Sequence, residues 1–270
     1  MEQIKSFQNT FVKKIRSLKY KKYRRRQKKF WAEGIRNVFE AKENNWDIDT
    51  LVYSPELLRS DQATILLEKT KVRKVSVSKA VFEHIAIGDI PQGMGAVIKL
   101  PQERTFEKII PDKNEFYIAL ENPQDRGNLG AVIRSTSAAG GSGVILLGKS
   151  VDPYDPETMR TSMGALFSIP IYTSNSITDF ISWNRKHSII LYGTSARAKQ
   201  DFRGVEYPRP LTLVFGNERQ GISSDLQEQL DMILSIPIIG RASSLNLGAA
   251  VAVLSYQAQG CWTASPDKKQ

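Results

Sequence analysis

From Phe116 onward the chain is organised around six short apolar runs: Phe116–Leu120, Val144–Leu147, Ile169–Tyr172, Ile189–Tyr192, Leu211–Phe215 and Ile233–Ile236. None alternates apolar with polar residues, so none reads as a strand with one wet face. Runs of this kind predict strands buried on both faces of a mostly parallel sheet. Amphipathic stretches lie between them and supply the crossover helices that parallel strands need. The fold class expected is therefore α/β, a mostly parallel sheet with helices on both faces. Ligands of such sheets bind outside the carboxyl ends of the strands. Thr194, Gly216–Glu218 and Ile236–Ile238 stand at three of those ends.

The chain ahead of this region reads as a smaller α/β unit. Ile35, Val38 and Phe39 have helical spacing within Trp31–Glu43, and Leu51–Tyr53, Val75–Val77 and Gly95–Leu100 read as strands. A helix is expected from Pro55 through Leu58, and another over Lys79–Ile85, capped by Ser78. The expected organisation is a basic arm at 1–30, a small domain at 31–102, a charged linker with Pro111 at 103–114, the parallel-sheet domain at 115–262 and a frayed tail at 263–270.

Charge is concentrated at one end. Residues 1–30 carry twelve Lys and Arg against the single acid Glu2, while the whole chain has a net charge of +10, so the remainder is close to neutral. Phe11, Tyr20, Tyr23 and Phe30 are interleaved with these cations. That combination predicts contact with a nucleic-acid backbone, against the plainer readings of a solubilising extension or a targeting peptide.

Several classes are disfavoured. No apolar run has the length of a membrane span, and the N-terminus lacks the apolar core of a secretion signal. One cysteine, Cys261, allows no intramolecular disulfide and fits a reducing, cytoplasmic setting. Two histidines, His84 and His187, and that one cysteine make a zinc site improbable, so no metal is expected. Gly140-Gly141-Ser142-Gly143 precedes a strand instead of following one, which argues against a phosphate-cradling loop.

Three segments carry the chemistry. Asp125-Arg126-Gly127-Asn128-Leu129-Gly130 opens a helix that bears Arg134; read plainly, Asn128 is a cap and Arg134 faces solvent. Phe215-Gly216-Asn217-Glu218 with Gly221 is a strand exit at which backbone can approach a ligand, and a generic turn does not call for Glu218 there. Ser243-Ser244-Leu245-Asn246 begins the last helix, with a Ser cap as its plain reading. In this order the segments resemble the SpoU (TrmH-like) branch of the SPOUT methyltransferases, from about Phe116 to Gln259. The family usually has Pro where this chain has Arg126. Arg160–Phe167 matches a subgroup, and Lys19–Arg26 with Glu33-Gly34-Ile35 is similar to the family's ribosomal-protein-like substrate domain.

The resemblance implies a trefoil-knot fold, a homodimer, and transfer of methyl from S-adenosylmethionine to a ribose 2′-hydroxyl of RNA. It implies cofactor contacts from Thr194, Phe215, Gly216, Asn217, Gly221, Ile236, Ile238 and Leu245, and catalytic roles for Arg134, Asn128, Glu218, Ser244 and Asn246. An arginine is effectively never neutral, so Arg134 suits binding of a phosphate and stabilisation of a forming alkoxide better than proton abstraction. A Rossmann-type methyltransferase would want an acid on the second strand, for which Asp152 is a weak candidate. Ribosomal RNA is favoured over transfer RNA through the ribosomal-protein-like unit; transfer RNA, base methylation and a non-catalytic RNA-binding protein are the competing readings.

Overall fold

The computed structural model describes residues 3–260. The chain divides into two compact units, one built from the residues up to Gln102 together with Asp152–Ser168, the other from Glu103–Val151 and from Ile169 onward. Cys261 and the tail expected at 263–270 lie outside the described residues.

The first unit contains α1 (Thr10–Ser17), α2 (Lys21–Gln27), β1 (Lys29–Glu33), α3 (Ile35–Glu43), β2 (Ile48–Tyr53), α4 (Asp61–Lys69), β3 (Arg73–Ser76), α5 (Lys79–Ile85) and β4 (Met94–Lys99). Its sheet has the order β1-β4-β2-β3, with β4 antiparallel to both neighbours and β2 parallel to β3. The expected basic arm is corrected here: residues 10–17 and 21–27 are helical, and the segment contributes to the core. Val12, Ile15 and Leu18 recur along one face and are buried with Trp31, Val81 and Phe82. Lys13, Lys14, Lys21, Lys22, Arg25 and Arg26 remain exposed. Two further expectations fail locally. Trp31–Glu33 is strand, not helix, because Phe30, Trp31 and Ala32 pair with β4 and Gly34, at φ 100°, redirects the chain into α3. Pro55–Leu58 is only a turn, and the next helix waits for Ser60, whose hydroxyl accepts from Ala63 N. Ser78 does cap α5.

The second unit holds β5 (Phe116–Glu121), α6 (Arg126–Ala138), β6 (Gly143–Leu147), β7 (Ile171–Ser174), β8 (Ile190–Thr194), β9 (Gln200–Asp201), β10 (Leu211–Phe215) and β11 (Met232–Ser235). The remaining helices are α7 (Pro156–Ser162), which belongs to the first unit, α8 (Ile177–Lys186), α9 (Ser224–Gln227) and α10 (Leu247–Ala258). All seven strands pair in parallel in the order β7-β6-β5-β10-β8-β11-β9. β5, β6 and β10 are buried at every position, as their unbroken apolar runs require. β9, only two residues long, has no such run to announce it. The expected linker is part of this unit: Phe106 is fully buried at 6.0 Å from the Phe180 ring, and Trp183 Nε1 donates to Ile109 O at 3.1 Å. α10 packs on α6 at very short range, since a Cβ on Gly248 would lie 2.7 Å from Ala131 Cβ. Its C-terminal end is held by Arg209, which donates to Ala258 O at 3.0 Å and lies 4.4 Å over the Phe116 ring.

The segment Asp152–Ser168, expected in the larger domain, packs instead with the first unit. Arg24, 1% exposed, donates to Asp152 Oδ2 at 2.7 Å, to Asp155 Oδ2 at 3.3 Å and to the carbonyls of Leu18 and Lys19 at 2.9 Å each. Asp152 is thus committed to an ion pair. Phe30 packs on Tyr154 at 5.0 Å, Trp46 meets Phe167 edge-on at 5.1 Å, and Trp46 Nε1 donates to Phe167 O at 2.9 Å. Gly164, at φ 92°, lets this segment close on α3, where a Cβ would meet Glu40 Cγ at 2.7 Å. Removing a buried charge from such a network strands its partners, which costs about 3–5 kcal/mol. Arg24→Ala is therefore expected to lower stability by about that amount in urea unfolding, and a change below about 1 kcal/mol would show that the pair is not desolvated as described.

Candidate active site

The site grows from four neighbouring strands. β5, β10, β8 and β11 are adjacent in the sheet, and their carboxyl ends carry Asn122, Gly216, Ser195 and Ile236 respectively. From β5 the chain winds outward through β6 and β7, whereas from β10 it steps over β8 to β11 on the opposite side, so β5 and β10 flank the switch point at which such sheets form a crevice.

Each strand exit is shaped by its own residues. After β5, Asn122 adopts φ 48°; its side-chain oxygen accepts from Lys149 N at 2.8 Å, and its carbonyl accepts from Asn217 Nδ2 at 2.8 Å. After β10, Asn217 and Gly221 exchange backbone hydrogen bonds of 3.0 and 2.8 Å, closing a tight turn. Gly216 is compulsory there, because a Cβ would sit 1.9 Å from the Gly221 carbonyl carbon. Asn217 Oδ1 accepts from Arg219 N and Gln220 N, so Glu218 is projected from a rigid tip. Thr194 donates to Val214 O at 3.3 Å, joining the ends of β8 and β10.

One hydrogen-bond chain joins the three motifs. The Glu218 carboxylate accepts from Gln124 N and Asp125 N at 3.3 Å each, just ahead of α6, and from Asn128 Nδ2 at 3.4 Å. A carboxylate only accepts, so Asn128 turns its amide nitrogen toward Glu218 and its oxygen outward. That oxygen accepts from Asn246 Nδ2 at 2.7 Å, and Asn246 Oδ1 in turn accepts from Gly248 N at 2.9 Å. The position of the negative charge, at the amino end of α6, agrees with the helix dipole.

Beyond β11 the chain is open. The backbone of residues 237–245 makes no hydrogen bond to other described residues. Ile236 and Ile238 are half-buried, whereas Ile239 is 97% and Leu245 40% exposed. Apolar side chains beside uncommitted backbone N–H and C=O groups are the make-up of a small-molecule pocket wall.

Of the residues expected at the site, Asn128, Glu218 and Asn246 are directly linked, and Thr194, Phe215, Gly216, Asn217, Gly221 and Ile236 lie at the ends of adjoining strands. Arg134 is not linked to them: it is exposed, without a hydrogen-bond or ion-pair partner among the described residues, about 9 Å along α6 from Asn128. Ser244 is exposed and also makes no hydrogen bond to described residues. Two capping assignments change. Asp125, not Asn128, caps α6 by accepting from Asn128 N at 2.6 Å, and Asn246, not Ser243 or Ser244, caps α10. The sequence reading missed Asn122 and the buried Glu121, which accepts from Ser223 N at 2.8 Å; an acid ending an apolar strand was the available signal.

The sequence pattern of the SpoU rRNA Methylase family matches residues 115–256, and that of the MRM3-like substrate binding domain matches residues 9–96. The 23S rRNA (uridine(2479)-2'-O)-methyltransferase of Streptomyces viridochromogenes is 30% identical over 242 residues, 87% of this chain and 84% of that protein. The 23S rRNA (guanosine(2553)-2'-O)-methyltransferase of Bacillus subtilis is 29% identical over 263 residues, 96% of this chain and 100% of that protein. An AdoMet-bound rRNA methyltransferase from Sinorhizobium meliloti superposes with a TM-score of 0.86 at 34% identity, covering 98% of this chain and 99% of that one.

Because Asn246 both caps α10 and donates to Asn128, its two roles separate by substitution. Asn246→Ala is expected to cost about 1–2 kcal/mol in urea unfolding, as loss of a cap does, whereas Asn246→Ser keeps a neutral capping oxygen and loses the amide donor to Asn128. Equal stability loss in both variants would show that the cap is not what Asn246 supplies.

Proposed function

The chain belongs to the SpoU rRNA methylase family, and on that footing we propose that it methylates the 2′-hydroxyl of one ribose in ribosomal RNA, with S-adenosylmethionine as donor. The observation that carries this reading is the Glu218–Asn128–Asn246 chain, which gathers the exit of β10 and the starts of α6 and α10 into one polar site beside an open, partly apolar loop. The cofactor fits the residues present. Ile236, Ile238 and Leu245 offer apolar surface, Gly216 and Gly221 keep side chains out of the way, and residues 237–245 offer free backbone donors and acceptors to an adenine and a carboxylate. When bound, S-adenosylmethionine supplies an electrophilic methyl group.

The protein's task is then positional and electrostatic. The ribose oxygen must lie in line with the carbon–sulfur bond that breaks, and its proton must leave as the new carbon–oxygen bond forms. Arg134 has no partner among the described residues to neutralise it, so its guanidinium is available to hold an RNA phosphate and to stabilise charge growing on the ribose oxygen. The proton passes to that phosphate or to water. Asn128 and Asn246, fixed in orientation by Glu218, supply oriented amides, and Ser244 has a hydroxyl available to substrate. In this reading the second unit is catalytic, while the first unit, with its exposed cations on α1 and α2, holds RNA. A homodimer and a cytoplasmic location are part of the same proposal. Ribosomal RNA is preferred to transfer RNA because both relatives above act on 23S rRNA by name.

Calorimetric titration with S-adenosylmethionine separates this enzyme from an RNA-binding protein that kept the fold, which would show no binding. Arg134→Ala is expected to reduce transfer by a hundredfold or more, in the range of lost transition-state donors, with cofactor affinity unchanged. Parallel loss of cofactor binding would place Arg134 on the wrong side of the reaction. Since the helices of the first 30 residues are structural, the cations are tested by substitution: replacing Lys21, Lys22, Arg25 and Arg26 with Ala should flatten the salt dependence of RNA binding by about 0.7–0.9 for each phosphate left without its cation. An unchanged slope would remove α2 from the interface.

A further inference from the structure

A cavity of about 150 Å³ lies in the first unit, lined by Ile15, Arg16, Lys19, Trp31, His84, Ile85, Ala86 and Ile87. We propose that it is a subsite for one unpaired nucleotide of the RNA, the base entering against the exposed Ile87 above a floor of Trp31 and Ile15 and its phosphate resting on Arg16 and Lys19. The inference rests on the RNA-methylating function proposed above and gives the first unit a second contact with its substrate, one that selects single-stranded over duplex RNA.

Size is the first argument. Pockets that enclose a whole small ligand run to about 300–1,000 Å³, so this one admits only a fragment whose remainder stays outside, as a base on a strand does. Chemistry is the second. The floor is apolar and aromatic, with Trp31 2% and Ile15 3% exposed, while the rim carries two cations that no carboxylate among the described residues neutralises. Arg16 Nη1 lies 2.6 Å from His84 Nε2; a guanidinium only donates, so the ring accepts and is neutral. Burial, then Arg16 and Lys19, hold the His84 pKa below its ordinary value, which keeps that arrangement at neutral pH. His84 therefore orients Arg16 without cancelling its charge.

The surroundings are the third argument. Phe7 stacks on His84 at 4.6 Å and is 45% exposed; Tyr20, under Lys19 Nζ at 4.9 Å, is 55% exposed and Tyr23 37%. Exposed aromatic rings among cations that no carboxylate of the described residues neutralises form the stacking surface that single-stranded nucleic acid uses. The wall is also rigid, because Ile87 N donates to the Glu33 carboxylate, tying the chain after α5 to β1.

The test uses the full-length protein with two probes, a short oligouridine and a duplex RNA of equal length. Ala86→Leu fills the cavity without touching a charge and is expected to weaken oligouridine binding about tenfold, the worth of one stacked base, while duplex binding and S-adenosylmethionine binding stay unchanged. Arg16→Ala, which does not depend on repacking, should lower the salt slope for oligouridine by about 0.7. Unchanged oligouridine affinity in Ala86→Leu, equal loss with both probes, or an unchanged slope in Arg16→Ala each overturns the subsite. Wild-type protein that binds oligouridine in this way yet transfers no methyl to ribosomal RNA would overturn the enzymatic reading and leave the subsite standing.

Discussion

Glu218 can accept hydrogen bonds and cannot donate them, and much of the site follows from that asymmetry. Its carboxylate dictates which way Asn128 faces, Asn128 dictates which way Asn246 faces, and Asn246 is left with an oxygen that caps α10. A chain of this kind can form only if the carboxyl ends of β5 and β10 are neighbours and α10 returns across α6. The parallel sheet provides the first condition and the Gly248–Ala131 contact the second. Each bond alone contributes only about 0.5–1.5 kcal/mol. What the series contributes is fixed geometry for the groups that meet the reacting ribose.

Charge is handled in opposite ways in the two settings that matter. In the first unit Arg24 is buried and satisfied by two aspartates and two carbonyls, so it organises structure and offers nothing to a ligand. The cations around it on α1 and α2 are exposed and available. In the second unit Arg134 is likewise uncommitted among the described residues. An arginine held by carboxylates would have to surrender those bonds before engaging phosphate; an open one does not. The cations left open are those for which the proposed function has a use.

The sequence disclosed the centre of the parallel sheet well, because strands buried on both faces leave continuous apolar runs, as β5, β6 and β10 do, whereas the runs at 169–172 and 233–236 overlap β7 and β11, which are only partly buried. β9 has two residues and leaves none. The site motifs were legible as segments, yet their internal bonding was not: which of Asn128, Asp125, Ser244 and Asn246 caps a helix depends on where each helix starts to within one residue. Domain membership was least legible. Arg24 sits in a run of cations and looks like its neighbours, and only its tertiary partners Asp152 and Asp155 distinguish it. Val12, Ile15 and Leu18 were hidden the same way, an apolar stripe outnumbered by the lysines beside it.

The central claim is that the exits of β5 and β10, joined to the starts of α6 and α10, form a site that methylates a ribose oxygen of ribosomal RNA. Alkaline cleavage mapping of unmodified ribosomal RNA, after incubation with the protein and S-adenosylmethionine, tests it most directly, since a 2′-O-methyl group blocks cleavage at its own phosphate. The account predicts a single new alkali-resistant linkage, absent when Arg134→Ala replaces the wild-type protein. Methyl transfer to a base with every linkage still cleavable, or no transfer at all, would contradict it.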